Sequence, residues 1–266
     1  MSFDVDRYLA RIGYGGPRDP TVETLGELQL AHLLSVPFEN LHVFHRVGVR
    51  VDVGWSYAKI VEQRRGGWCF ELNGCFAALL RRLGFDVDLM SCRTFESGPG
   101  GLSAEFDHLA LLVHLDGADH LVDVGWGDGP LHPLPAETGE YASRPRPVRV
   151  EADAATVRLV ELVQREEGTA AWELQYEASR RPRRLEEFEG RSRYLQTAPG
   201  LSWTEKPLVT RATSGAGGRV TLHRHRLRVR RDDLSIEDRP VTAEEWPGEL
   251  ATWFHLTVPT PRFPDS

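Results

Sequence analysis

The stretch Arg65-Gly66-Gly67-Trp68-Cys69-Phe70-Glu71-Leu72-Asn73-Gly74 sets a thiol behind two glycines and a tryptophan, where an amphipathic helix begins. A cysteine attacks as its thiolate, and the unpaired N–H groups and positive dipole end of a helix N terminus favour that anion. Gly66 and Gly67 would let another backbone come close, and the Cys69 N–H could donate to an oxyanion formed on an acyl carbonyl. Position alone also suits a packed core thiol, since free cysteines are among the most buried side chains. Cys75, deeper in the same helix, reads as structural, and Cys92 as a strand residue.

A nucleophilic thiol needs a base, and the base needs a group to orient it. His108 opens the apolar run HLALLVHL, and Asp123 lies in HLVDV, beyond an Asp116-Gly117 turn signal. If those two turn residues form the hairpin loop, residue 110 stands opposite residue 123. His108 and Asp123 then share a face as diagonal neighbours, roughly 7 to 8 Å apart at the backbone. A four-residue loop would keep the face and widen the gap. The pair completes a Cys-His-Asp arrangement, in which the imidazole takes the thiol proton and the carboxylate holds its tautomer and stabilises the imidazolium. Taken singly, a strand-end histidine and a turn aspartate are ordinary. An aspartate between apolar neighbours, however, needs a partner.

Other motifs carry less. Gly125-Trp126-Gly127-Asp128-Gly129 has the look of a phosphate loop but runs into PLHPLP rather than a helix, so a dinucleotide fold is not expected. Gly125, Gly127 and Gly129 could still present N–H groups to an anion. His42 with His45, and His223 with His225, lack further ligands at metal spacing, and no metal is expected. The alternating basic stretch 224–231 reads as a half-exposed strand with a solvated face before it reads as an anion site.

The elements that must hold these residues change character along the chain. Residues 1–85 read as helical, with Leu25, Leu28, Leu30, Leu33 and Leu34 as a stripe that Pro37 ends, and RIGYGG as a helix stop. The clearest helix covers 68–83, with Phe76, Leu79, Leu80 and Leu83 on one face, Glu71 in its first turn and Gly84 as its stop. From 86 to 195 the period becomes two, predicting strands at 86–92, 108–115, 120–124, 157–163 and 171–176, with 130–148 a proline-broken connection. RRPRRLEEFEGR follows as loop or short helix. In the remainder, 196–266, SGAGG is a turn before the basic strand, and AEEWPGELATWF is a helical piece interrupted by Pro247.

Composition narrows the class. A chain of 266 residues with 41% hydrophobic content can bury a substantial core. Its net charge of -7 argues against nucleic acid, and no uninterrupted apolar run is long enough to span a membrane. The N-terminal sequence lacks a secretory layout, and three cysteines make no disulfide framework. Reduced thiols and a cytoplasmic location are expected.

The segments VPFENL, RGGWCFELNG, FDHLALLV and LVDVGWG, in that order and at these separations, together with the later YLQTAPGLSWTEKPLVTR, closely resemble the arylamine N-acetyltransferases. The resemblance spans most of the chain. It implies an α+β fold with a papain-like cysteine-triad arrangement: an N-terminal helical domain (1–85) with the cysteine, a central β-barrel domain (86–195) with the histidine and aspartate, and a C-terminal α/β lid (196–266). It implies ping-pong transfer of acetyl from acetyl-coenzyme A, a co-substrate, to an arylamine or arylhydrazine. Cys69 then matches the acyl-accepting nucleophile, His108 the general base and acid, and Asp123 its orienting partner. Phe38, Trp126 and Trp203 match acceptor-pocket positions, and Glu39 with Arg65 an ion pair that braces the active-site loop. Gly125, Gly127 and Gly129 are candidates for the coenzyme A path. Trp126 and Trp203 stand where the family more often has phenylalanine, and Asp128 brings negative charge to a turn that would otherwise face the phosphates of coenzyme A. The rivals are an amide synthase of the same fold that closes a macrolactam from a carrier-bound acyl chain, a papain-like thiol hydrolase, and a non-catalytic binding protein. The physiological amine, the acyl range and the oligomeric state are not encoded in these motifs.

Overall fold

The computed structural model describes residues 3–95, 101–164 and 168–258, so the end of the expected third region, 259–266, lies outside them. The chain begins with α1 (Val5–Ile12) and α2 (Val22–Ser35), then a two-residue strand β1 (Phe38–Glu39). Short helices α3 (Leu41–Phe44) and α4 (Val53–Tyr57), a π-turn over Ala58–Glu62 and α5 (Cys69–Arg82) follow. Asp4 and Thr21 cap α1 and α2 by accepting from the N–H groups of Arg7 and Thr24. Gly13, at φ 69°, stops α1, and α2 ends just before Pro37. α5 departs from the amphipathic expectation, because every residue from Cys69 to Leu80 is buried. Its polar members Glu71 and Asn73 must therefore find partners inside.

The second part is an antiparallel sheet of β2 (Asp86–Thr94), β3 (His108–Leu115), β4 (Ala118–Val122), β5 (Leu134–Pro135), β6 (Gly139–Tyr141), β7 (Val148–Ala152), β8 (Thr156–Gln164) and β9 (Ala170–Ser179). Their spatial order is β5-β4-β3-β2-β9-β8-β7-β6. The two edge strands are joined by residues 136–138 alone, a span of at most about 15 Å. The sheet must therefore curl until its edges nearly meet, giving a barrel with one gap. The proline-broken 130–148 segment thus supplies both edges, β5 and β6, rather than a plain connection. Along β3 the odd residues Leu109, Leu111 and Val113 pack with Phe76, Leu79 and Leu80 of α5, while Ala110 and Leu112 face the barrel interior with Met90, Val150 and Leu159. Burial on both faces explains why HLALLVHL is a continuous apolar run.

The β3–β4 hairpin has Leu111 opposite Val122 and Leu115 opposite Ala118, the register expected from the sequence. Its two loop residues, Asp116 and Gly117, both lie in the left-handed region at φ 51° and 80°, which matches the twist of the flanking strands. β4 runs 118–122 rather than the expected 120–124, so Asp123 follows the strand instead of lying within it.

The last part contains a 3₁₀ turn at Leu185–Phe188, α6 (Glu189–Thr197), α7 (Ser202–Glu205), β10 (Leu208–Ala212), β11 (Arg219–His223), β12 (Arg226–Arg230), β13 (Ile236–Pro240) and α8 (Trp246–Phe254). β1, from the helical part, forms one edge of the sheet β1-β10-β11-β12-β13, with Phe38 opposite Thr210. Trp246, Leu250 and Phe254 of α8 cover it with Val209, Val220 and Leu222. Pro247 opens α8 instead of interrupting it: in a first turn its missing N–H has no intrahelical partner to lose.

Candidate active site

Two backbones meet at the N terminus of α5. The Gly67 N–H donates to Pro37 O at 3.3 Å, and the Glu39 N–H to Gly67 O at 2.8 Å. A Cβ at Gly66 would stand 2.1 Å from Pro37 O, so only glycine allows this contact. Behind it lies a buried ionic network. Glu39 accepts from Arg65 Nη2 at 2.7 Å and from the Leu41 N–H at 2.7 Å. Lys59 Nζ donates to both oxygens of Glu71, at 3.0 and 2.8 Å, and stands 3.6 Å from Glu39. Burial would push the Glu39 carboxyl up, but Lys59 and then Arg65 hold it down at about 2. Glu71 differs, since burial outweighs Lys59 and leaves it raised. Its Oε2 accepts the Trp68 N–H at 3.2 Å, closing the turn from which Cys69 begins the helix.

His108 Nε2 lies 2.7 Å from Asp123 Oδ2, and both side chains are buried. The remaining ring nitrogen, Nδ1, is not used by Asp123, and Cys69 lines the same pocket as the imidazole. Burial alone would lower the His108 pKa. The charge and hydrogen bond of Asp123, then those of Cys69, outweigh it and raise the imidazole to about 10. The other oxygen of Asp123 accepts from Asn73 Nδ2 at 2.8 Å and from the Gly125 N–H at 2.8 Å. Asn73 also donates to Leu109 O at 2.6 Å and accepts the Val124 N–H at 2.9 Å. One side chain, one helical turn beyond Cys69, thus ties α5 to both strands that carry the base and its partner. The other two cysteines sit in apolar surroundings: burial drives the Cys75 and Cys92 thiols upward, away from thiolate.

Cys69 and His108 open onto a pocket of ≈ 430 Å³ walled on one side by Phe38, Trp126 and Trp203. Phe38 and Trp203 are in ring contact at 5.9 Å, and Trp126 meets the His108 ring edge-on at 4.9 Å. Thr94, Asp107 and Arg191 add polar groups to the lining. Arg191 Nε donates to Asp107 at 2.8 Å, and the Thr94 hydroxyl donates to the other Asp107 oxygen at 2.7 Å. The walls therefore come from all three stretches of the chain.

Of the turn's three glycines, only Gly125 lines this pocket. A Cβ there would fall 2.7 Å from Asn73 Nδ2 and 2.8 Å from Cys69 Cα, so this glycine lets the turn lie on the helix N terminus. Gly127 needs its left-handed φ of 84°. Asp128 does not present a bare charge. Arg230 grips it with two bonds of 2.7 Å, Arg219 Nε lies at 2.8 Å and Arg146 Nη1 at 3.3 Å. Burial raises the Asp128 carboxyl, and these arginines, Arg230 first, pull it down to about 2. Sequence reasoning missed this clamp, along with Asn73 and Lys59. Asn73 had a signal, a polar residue four positions after the cysteine on a buried helix, whereas the clamp joins positions about a hundred residues apart. Among the described residues no group of His, Cys, Asp and Glu is arranged to hold a metal ion.

Residues 21–263 match the family model described as N-acetyltransferase. The chain is 34% identical to the arylamine N-acetyltransferase of Mycolicibacterium smegmatis, over 87% of this chain and 84% of that protein. It is 35% identical to the proansamycin X synthase of Amycolatopsis mediterranei (strain S699), over 84% of this chain and 86% of that one. Its fold is similar to that of the Mycobacterium marinum arylamine N-acetyltransferase in complex with CoA, with TM-score 0.85 and 28% identity, covering 95% of this chain and 92% of the other.

Proposed function

The chain belongs to the arylamine N-acetyltransferase family, and we propose that Cys69, His108 and Asp123 are its catalytic triad. The observation that carries this reading is the junction at the start of α5, where a thiol at the first helical position shares a pocket with an imidazole whose Nε2 lies 2.7 Å from a buried carboxylate. The enzyme is an acyltransferase that uses acetyl-CoA as co-substrate. His108, held by Asp123, takes the thiol proton of Cys69 and becomes the imidazolium. The Cys69 thiolate attacks the thioester carbonyl, the C–S bond to coenzyme A breaks, and the imidazolium gives its proton to the departing thiolate. An amine then attacks acetyl-Cys69, neutral His108 takes the proton that it loses, and the amide leaves as the thiolate re-forms. Thioester exchange is nearly balanced in free energy, whereas amide formation drives the second half forward.

Phe38, Trp126 and Trp203 form an aromatic wall suited to the flat ring of an arylamine or arylhydrazine. Gly125, Gly127 and Gly129 border the entry proposed for coenzyme A, and neutralisation of Asp128 removes the charge that would oppose its phosphates. Free thiols at all three cysteines support a cytoplasmic location, and the aromatic pocket lining suits foreign aromatic amines. The 35% identity to a proansamycin X synthase favours, as a second reading, amide synthesis from a long carrier-bound acyl chain. The contact of Phe38 with Trp203 in the lining of a pocket of ≈ 430 Å³ suits a small acyl group better.

Intact-protein mass after brief mixing with acetyl-CoA tests the assignment. An acetyl adduct should form on the wild type, be absent from Cys69→Ala, and be discharged by an anisidine. An adduct that persists in Cys69→Ala would sink the triad. A wild type left unmodified by acetyl-CoA but acylated from a carrier would establish the amide synthase.

A further inference from the structure

Lysine occurs in this chain only as Lys59 and Lys206, with arginine supplying the rest of the positive charge. One of the two is 2% exposed. Lys59 projects from the π-turn Ala58–Glu62, in which the Gln63 N–H reaches back five residues to Ala58 O at 2.9 Å. The extra residue in such a turn redirects the side chains that leave it, and π-turns recur at functional sites. Here the turn points an ammonium between two carboxylates, 2.8 Å from Glu71 and 3.6 Å from Glu39. A compact ammonium reaches both, where the planar guanidinium favoured elsewhere in this chain would match one at a time.

The charges close on themselves: Lys59 and Arg65 offset Glu39 and Glu71. The remaining neighbour is His42, near Arg65 at 3.3 Å. Burial, then Lys59, lowers it to about 4, so it is neutral near pH 7. Well-packed apolar side chains commonly fill such a volume with equal or greater stability, so stability alone does not explain three buried charges and a fourth that is partly buried. Their placement does. Glu71 holds the Trp68 N–H, and Glu39 is bonded through Arg65 to the loop that crosses Pro37. Both carboxylates therefore act on the few residues that set where α5 starts.

We propose that Lys59 is a positioning residue for acyl transfer: by fixing Glu71 against the Trp68 N–H, and Glu39 beside it, it holds the first turn of α5 so that Cys69 faces His108. The inference rests on Cys69 being the nucleophile, and it is tested without acyl donor or acceptor. The measurement is the rate of Cys69 alkylation by iodoacetamide near pH 7, read by peptide mass, with thermal unfolding in parallel. Lys59→Met leaves Glu71 without its cation, and alkylation should slow about tenfold, the order of one hydrogen bond to a charged group. The double variant Lys59→Gln with Glu71→Gln keeps a neutral hydrogen-bonded pair and an acceptor for the Trp68 N–H. It should recover to within about threefold of wild type. Glu71→Gln alone strands the ammonium, so it should be slower than the double variant, and this contrast serves if Lys59→Met does not fold. Equal Cys69 rates across variants that differ only in melting temperature would overturn the proposal, as would a double variant as slow as Glu71→Gln. A wild-type Cys69 no more reactive than Cys75 and Cys92 is a separate result, which would remove the nucleophile and this inference with it.

Discussion

Asp123 serves three donors with two oxygens: His108 on one, Asn73 and the Gly125 N–H on the other. Asparagine at 123 keeps the volume but must turn an amide N–H group toward one of those donors, so Asp123→Asn should lower acyl transfer by about 100-fold or more. Single-turnover formation of the acetyl adduct measures this, and an unchanged rate would remove Asp123 from the triad. The same pair has a pH signature. His108 is raised from its ordinary 6.5 to about 10 in the folded chain. A group raised by folding contributes its full stability below its unfolded value and loses it as pH climbs through the folded one. The pair should therefore support the fold fully at pH 6 and progressively less between about 6.5 and 10. Across that window the wild type should lose more melting temperature than Asp123→Asn. Parallel curves would mean that the pair adds nothing to stability.

At the scale of elements, the catalytic geometry is the product of one hairpin laid on one helix. The hairpin was legible because its information is local: the Asp116-Gly117 turn fixes the register, and the register fixes the shared face of His108 and Asp123. The start of α5 was legible for the same reason, from Cys69 through to Gly84. What could not be read was contact between distant segments, such as β1 pairing with β10 or Asn73 reaching the end of β4. Pro247 misled because a proline signals a break only inside a helix, and here it marks a start. Gly125 shows how tight the helix and hairpin junction is. Gly125→Ala would drive a Cβ into Asn73 and the Cys69 backbone, an overpacking that costs about 1–3 kcal/mol. Acetylation should fall far more than stability suggests, because the displaced groups are those that align the triad. Gly190→Ala in α6 is the control, with no atom within 4 Å of its Cβ. Comparable activity in the two variants would show that the junction tolerates displacement.

At the scale of the whole molecule, the pocket exists only when the barrel, the helical part and the α6–α7 segment are docked, since each contributes lining residues. Two ties hold the C-terminal sheet to the site. One is β1, whose Phe38 pairs with Thr210 while its side chain lines the pocket. The other is Asp128, which draws Arg219 of β11, Arg230 of β12 and Arg146 beside β7 onto the turn that carries Gly125 and Trp126. Asp128→Ala would leave three arginines facing one another with Glu161 as the one carboxylate, among the described residues, bonded to any of them. Losing one partner of this partly buried set should cost about 2 kcal/mol, or roughly 4–8 °C in a chain of this size. Repulsion between the stranded guanidinium groups is screened by salt, so molar salt should return part of the loss. If the clamp also positions the turn, Asp128→Ala should acetylate Cys69 more slowly at temperatures where it is fully folded. A variant with reduced melting temperature but a wild-type acetylation rate would reduce the clamp to a fastening between sheet and barrel, and leave the alignment of Gly125 to Asn73 and Cys69 alone.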